Sequence, residues 1–167
     1  MRLFRVLLLL LVGLSLAACG DKFRTYNGPE VTSIQVHKAD RKMYLLHGSE
    51  VLESYNIHLG GDPIGPKHFE GDMKTPEGIY YISRRNPNST YHLSLGISYP
   101  NEADRAYAKA AGKPPGGDIM IHGGPVTKKS KKHRKDDWTA GCIAVTDNQI
   151  EQIYAMVKPG TPIMILP

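Results

Sequence analysis

The sequence predicts a mainly β domain carrying two short helices, and three observations predict it. Apolar residues alternate with polar ones over short runs, as at Ile34 and Val36 and from Tyr91 to Tyr99, the period of strands with one buried face. Seventeen Gly and twelve Pro punctuate the 167 residues, which favours strands and turns over a helical bundle. Only two stretches combine helical spacing with start and stop signals. The length suits one domain able to bury a core unaided, and no internal repeat is visible. The formal charge is +5 and includes Arg2 and Arg5. Without those two it is about +3, too small a basicity to imply a nucleic-acid partner.

The first 18 residues read as an export signal. Arg2 and Arg5 precede the apolar run Val6 to Val12, and small residues follow at Ala17-Ala18, too short a span to cross a membrane comfortably. Leu16-Ala17-Ala18-Cys19 resembles the bacterial lipobox, which implies an acylated Cys19 as the mature N-terminus. Gly20 rather than Asp follows it, which by resemblance to Gram-negative sorting permits export to the inner leaflet of the outer membrane. Residues 20–30 then form a short tether, at most about 40 Å when extended. The expected organisation is signal peptide 1–18, lipidated Cys and tether 19–30, and catalytic domain 31–167.

From Val31 the chain reads as a meander. Ile34 and Val36 mark one strand, Met43 to Leu46 a second, and Val51, Tyr55, Ile57 and Leu59 a third. His37, His47 and His58 fall on these strands or their turns with no carboxylate or Cys at ligand spacing, which reads as surface histidines and no metal site. A Gly- and Pro-rich loop, Gly60 to Asp72, leads into Lys74-Thr75-Pro76-Glu77-Gly78, which launches a strand over Ile79 to Ser83. Arg84 to Ser89 breaks it. Tyr91 to Tyr99 alternates again, so His92 has two readings: a half-buried strand residue or a wall of the active site. Asn101 caps an Ala-rich helix to Ala111, with Gly112 beyond its end. Asp118 to Ile121 is a strand that delivers His122. Ile143 to Val145 follows Cys142 as another. Thr146-x-x-Gln149 reads as a capping box for a helix with Ile150, Ile153, Tyr154 and Val157 on one face. Pro159-Gly160 stops it, and Thr161 to Leu166 is the last strand.

With Cys19 lipidated, Cys142 is the one remaining thiol of an exported chain and has no disulfide partner. Free Cys often behaves as a small buried hydrophobe, which is the structural alternative. Its chemical reading is a nucleophile. An ordinary thiol is only a few per cent thiolate at neutral pH, so it needs a base close in space. His122, twenty positions upstream and also beside a predicted strand, is the candidate base. Gly141 permits close approach of substrate, and the amides of Gly141 and Cys142 are expected to donate to an oxyanion. No Asp or Asn is placed to orient His122, so a backbone carbonyl such as that of Gly123 is expected in that role.

His122-Gly123, Thr139-Ala140-Gly141-Cys142 and Lys74-Thr75-Pro76-x-Gly78, in this order of motifs, resemble the L,D-transpeptidase (YkuD-type) catalytic domain from about Ser33 to Pro167. Ser98-Tyr99-Pro100-Asn101, Gly116 to Gly123 and Trp138 to Cys142 are most similar to its YafK-like murein branch. The resemblance implies a β-sandwich-like catalytic fold and a peptidoglycan stem-peptide substrate. It implies that Cys142 attacks the carbonyl at the L-centre of the third stem residue, releasing the terminal D-amino acid. It implies His122 as base, the Gly123 carbonyl as its orienting group, and no metal or organic cofactor. Gly141, Thr139 and His92 are the expected oxyanion and substrate contacts.

The commoner family motif is Ser-His-Gly-Cys, with an Arg or Asn two residues after the Cys. Thr139, Ala140 and Ala144 stand at those places here. The acyl-enzyme therefore has two open fates, transfer to an amine or hydrolysis by water as a carboxypeptidase or amidase. A non-catalytic wall-binding lipoprotein is the reading of a different kind. Lys128 to Lys135 holds seven basic or imidazole side chains. It reads either as a lid or contact for anionic wall polymer or lipid headgroups, or as a solvated loop. Trp138 reads either as a cleft wall or as an anchor for that loop.

Overall fold

The structure is a computed structural model that describes residues 22–124 and 137–167. The expected signal peptide, the Cys19 lipidation site and the basic run Lys128–Lys135 lie outside the described residues. Strands β1 (Ser33–His37), β2 (Lys42–His47) and β3 (Glu50–Asn56) form the expected meander. They are followed by β4 (Gly78–Asn86), β5 (Ser94–Ile97), α1 (Glu102–Ala110), β6 (Met120–His122), β7 (Ile143–Ala144), α2 (Asp147–Met156) and β8 (Pro162–Leu166). All eight strands join one curled sheet in the order β3-β2-β1-β8-β4-β5-β6-β7. The pairs β1–β8 and β6–β7 are parallel. The others are antiparallel. Among the described residues no helix is long and apolar enough to cross a membrane.

Alternation explains the core. Ile34 and Val36 of β1, Met43 and Leu45 of β2 and Ile163 and Ile165 of β8 all turn inward, where they join Leu95, Ile121, Ile143, Ile150 and Ile153 in one buried cluster. Both helices carry full capping boxes, Asn101 with Asp104 and Thr146 with Gln149. Each N-cap is worth about 1 kcal/mol. The face read from Ile150, Ile153, Tyr154 and Val157 is buried as expected.

Two strand limits differ from expectation. β4 continues through Arg84 and Arg85 to Asn86. Its first half pairs with β8, its second half with β5, and the register shifts between Ile82 and Arg84. The charged residues do not end the strand because each finds a partner. Arg84 meets Asp118 at 2.7 Å. The Arg85 guanidinium lies over the Tyr154 ring at 4.0 Å and donates to the Tyr154 carbonyl. Conversely, β5 begins only at Ser94, and Tyr91 to Leu93 is a turn in which His92 has φ 72°.

The sheet's far edge is covered from a distance. Beyond β3, His58 exchanges backbone hydrogen bonds with Ala144 at 2.9 and 2.8 Å, and Thr139 donates to Leu59 and accepts from Gly61, both at 3.0 Å. Residues 139–144 are thus held between β6 and the 58–61 segment, which closes an otherwise exposed edge. Asp137 secures the start of this stretch, accepting from Arg41 through both carboxylate oxygens and from the Leu59 amide at 2.9 Å. Gly60 lies so close that a Cβ there runs into the Met73 carbonyl oxygen. Gly60→Ala is therefore expected to cost about 2–3 kcal/mol, read as a lowered urea midpoint at unchanged slope.

The segment read as a tether lies against the domain from Lys22 onward. Lys22 Nζ donates to the Pro87 carbonyl at 2.5 Å and the His92 carbonyl at 3.3 Å. Arg24 meets Glu151 at 2.8 Å, and Phe23 packs at 6.2 Å from the Tyr154 ring. Eleven residues of free reach are not present.

Candidate active site

Strand pairing sets Cys142 and His122 on neighbouring segments of the sheet. In the parallel β6–β7 pair, Ile121 faces Ile143 and His122 faces Ala144. Two residues back from Ala144, on the same face of the sheet, is Cys142. It stands diagonally across from His122 at the end of the strand. Cys142 is half-buried and His122 is buried, so Cys142 is not the sealed core residue of the structural alternative.

His122 is oriented by its neighbour. Its Nδ1 lies 2.5 Å from the Gly123 carbonyl oxygen. A carbonyl only accepts, so this contact requires the proton on Nδ1 and leaves Nε2 as the acceptor. Tyr91 stacks on the imidazole with ring centroids 4.4 Å apart, and Trp138 meets it edge-on at 5.8 Å. Trp138 thus walls the imidazole as well as ending the basic stretch.

Around the thiol, Sγ donates to the Asp118 carbonyl at 3.5 Å. Burial pushes the Cys142 thiol above its ordinary range. The Met120 amide and the Lys67 charge pull it down, and the Asp118 charge pushes it up. The net direction is upward, so the resting thiol keeps its proton at neutral pH.

Thr139 shapes the turn before Cys142. Its hydroxyl donates to the Cys142 carbonyl at 2.7 Å and accepts from the Gly141 amide at 3.1 Å. This corrects one expectation. The Gly141 N–H is spent on Thr139 and is not available to an oxyanion, while no described group claims the Cys142 amide. Gly141 is required for another reason. Its φ is 128°, and a Cβ would sit 2.5 Å from the Lys74 carbonyl oxygen. The Lys74-Thr75-Pro76 loop and the nucleophile turn therefore press backbone to backbone.

His92 is not brought to Cys142. Its Nε2 meets Glu151 on α2 at 2.8 Å, and Glu151 is shared with Arg24. Burial raises the Glu151 carboxyl, and its bonds to Arg24 and His92 outweigh this and hold it below its usual range. His92 is half-buried, but in a left-handed turn and not on a strand, and its ring is tied to a helix. The adjacent Tyr91 is the residue that reaches the imidazole.

A cleft of about 490 Å³ is lined by Lys67, Glu70, Asp118 and Ala140 among others. It shares Asp118 and Ala140 with the surroundings of Cys142. Sequence reasoning missed Lys67 and Asp72. Asp72 accepts from Lys67 Nζ, from the amides of His68 and Phe69, and from that of Lys74. Burial raises the Asp72 carboxyl, and these four donors more than offset it, so its pKa lies below the ordinary value. The only advance signal was a Lys and an Asp five apart within a Gly/Pro-rich loop. Among the described residues no group of three or more His, Cys, Asp and Glu is arranged to hold a metal ion.

The model of the YkuD L,D-transpeptidase catalytic domain matches residues 32–165. YafK of Escherichia coli (strain K12), an L,D-transpeptidase by name, is 31% identical over 147 residues, covering 80% of this chain and 53% of YafK. Pgp2, the helical cell shape determining protein of Campylobacter jejuni, superposes with a TM-score of 0.61 at 28% identity, over 91% of this chain and 53% of Pgp2. Bd1075 of Bdellovibrio bacteriovorus gives 0.57 at 26%, over 82% and 48%. The chain thus spans about half the length of each of these relatives. Its matched span, its curled sheet and the motifs around Cys142 and His122 place it in the L,D-transpeptidase (YkuD) catalytic domain family.

Proposed function

We propose that this chain is a cysteine-dependent peptidoglycan L,D-transpeptidase. Cys142 Sγ attacks the carbonyl of the third stem residue while His122 Nε2 takes the thiol proton. The tetrahedral oxyanion is met by the Cys142 amide. On collapse the bond to the terminal D-amino acid breaks, His122 returns the proton to the leaving amine, and a thioester remains on Cys142. An acceptor amine then attacks the thioester. His122 removes its proton and passes it to the departing sulfur.

The observation that carries this reading is the bond from His122 Nδ1 to the Gly123 carbonyl. It aligns Nε2 as a base on the sheet face that holds the thiol. The raised thiol pKa supports proton transfer during attack in preference to a standing thiolate–imidazolium pair.

The proposal includes export and a lipid anchor at Cys19, placing the domain on the extracytoplasmic side of a bacterial envelope membrane. Lys22 is three residues from Cys19, at most about 10 Å along an extended chain. The docking of Lys22 to Arg24 on α2 and the 87–92 loop therefore keeps the domain close to its membrane. Cys19→Ser is expected to move the protein from the membrane fraction to the soluble one.

Incubation with disaccharide-tetrapeptide, followed by mass spectrometry of protein and products, tests the reaction. The expected adduct is a tripeptide acyl group on Cys142, with cross-linked dimers as product. Tripeptide alone means that water resolves the thioester. Wall binding without any adduct sinks the catalytic reading.

A further inference from the structure

Two buried lysines sit in the loop region before β4, and they differ in what their ammonium groups do. Lys38 spends all three N–H groups on the protein, on the Gly65 carbonyl, the Thr75 carbonyl and Glu77. It is a saturated brace. Lys67 is as deeply buried, its side chain 3% exposed. It makes two hydrogen bonds, to the Phe69 carbonyl and to Asp72, each at 2.8 Å, and its remaining contact is a loose one, 6.0 Å from the Tyr99 ring centroid. Lys67 lines the cleft together with Asp118 and Ala140, the Asp118 carbonyl accepts from Cys142 Sγ, and the Lys67 charge is felt at that thiol.

Its counter-ion, Asp72, is held from several sides and does not line the cleft. Asp72 shares its charge among three backbone amides as well as Lys67. Those amides already tie the 67–74 loop, so the ammonium is not needed to close it. The other acids of the cleft, Glu70 and Asp118, stand out in solvent, and Asp118 is paired with Arg84. Exposed charges are screened by water and salt, while a buried ammonium is not. The cleft is therefore lined by the cationic member of this ion pair, while Asp72 is not among its lining residues.

We propose that the Lys67 ammonium is a carboxylate anchor of the catalytic cleft, receiving a free carboxylate of the stem peptide and setting how the scissile carbonyl approaches Cys142. This rests on the peptidoglycan reading above. A carboxylate is the matching ligand because it accepts a charge-assisted N–H bond in a water-poor site. Two carboxylates qualify by chemistry: that of the released D-amino acid, and the second carboxylate of a dicarboxylic third residue. The same charge acts on the reaction a second way, opposing the burial that pushes the Cys142 thiol up.

The test compares three disaccharide-tetrapeptides: the acid form, one with the terminal carboxylate as carboxamide, and one with the second carboxylate of the third residue as carboxamide. Acylation of Cys142 is timed by intact-protein mass spectrometry. Wild-type protein is expected to acylate about 10- to 100-fold more slowly with one of the amides, and the slow one identifies the anchored group. In Lys67→Met that preference should shrink to within about twofold, while Lys67→Arg keeps its direction. Equal rates for all three substrates with wild-type protein, a comparison that needs no variant, overturn the anchor. So does a Lys67→Met protein that is slower on every substrate yet keeps the full acid preference, since that marks a brace. Binding of the same three peptides to Cys142→Ala separates the anchor from the reaction. Acid-selective binding there, with no acylation by wild-type protein, overturns the reaction and supports the anchor, and binding without selectivity overturns the anchor.

Discussion

Cys142→Ala is expected to abolish the acyl adduct and to lower turnover of tetrapeptide by roughly 10⁴-fold or more, with the fold retained. The side chain removed is small and half-buried, and its hydrogen bonds are weak thiol contacts to the Asp118 carbonyl at 3.5 Å and to the Met120 amide. Circular dichroism and the thermal midpoint should therefore change little, while intact-protein mass spectrometry should find no acylated species. An adduct that persists in this variant would place the nucleophile elsewhere.

The wild-type thiol carries its own pH prediction. Because burial dominates and raises its pKa, alkylation by iodoacetamide in the free protein should climb with pH through a midpoint above the ordinary thiol value of about 8.5. A plateau already reached near neutrality would mean a standing thiolate and would contradict proton transfer in step with attack.

His122→Gln is expected to slow acylation by about 10²- to 10⁴-fold, the usual contribution of a positioned general base. Gln keeps much of the side-chain volume beneath Tyr91 and Trp138, whose rings lie 4.4 and 5.8 Å from the imidazole, so the loss is assigned to chemistry more than to packing. The pH dependence separates these. Once the thiol is ionised by alkali, wild type and His122→Gln should alkylate at similar rates. At neutral pH the variant should lag with tetrapeptide, where the base is needed. Equal lag at both pH values would mean that the substitution displaced Cys142 itself.

Local patterns in the chain were enough for much of this. The two capping boxes need only residues three apart, and both helices fall where Asn101 and Thr146 place them. β6 and β7 are buried almost throughout, so the apolar runs before His122 and after Cys142 marked these two paired strands. The orienting carbonyl of Gly123 was legible for a similar reason: it is the adjacent residue, and no acid stood nearby to compete. The limits of β4 and β5 were not legible. Whether Arg84 and Arg85 end a strand depends on Asp118 and Tyr154, which lie 34 and 69 positions away.

By itself, then, the sequence determined a mainly β domain and the family to which its motifs belong, because those depend on periodicity and on short spacings that the chain states outright. Only the tertiary structure decided the rest of the site. It spent the Gly141 amide on Thr139, tied His92 to Glu151 and put Tyr91 on His122 in its place. It also laid the 58–61 segment along β7 and turned Lys67 into the cleft wall. Each of these is a hydrogen bond, ring contact or wall whose use depends on which partner the fold delivers. A polar group has several local options, and burial removes all but the one that satisfies it.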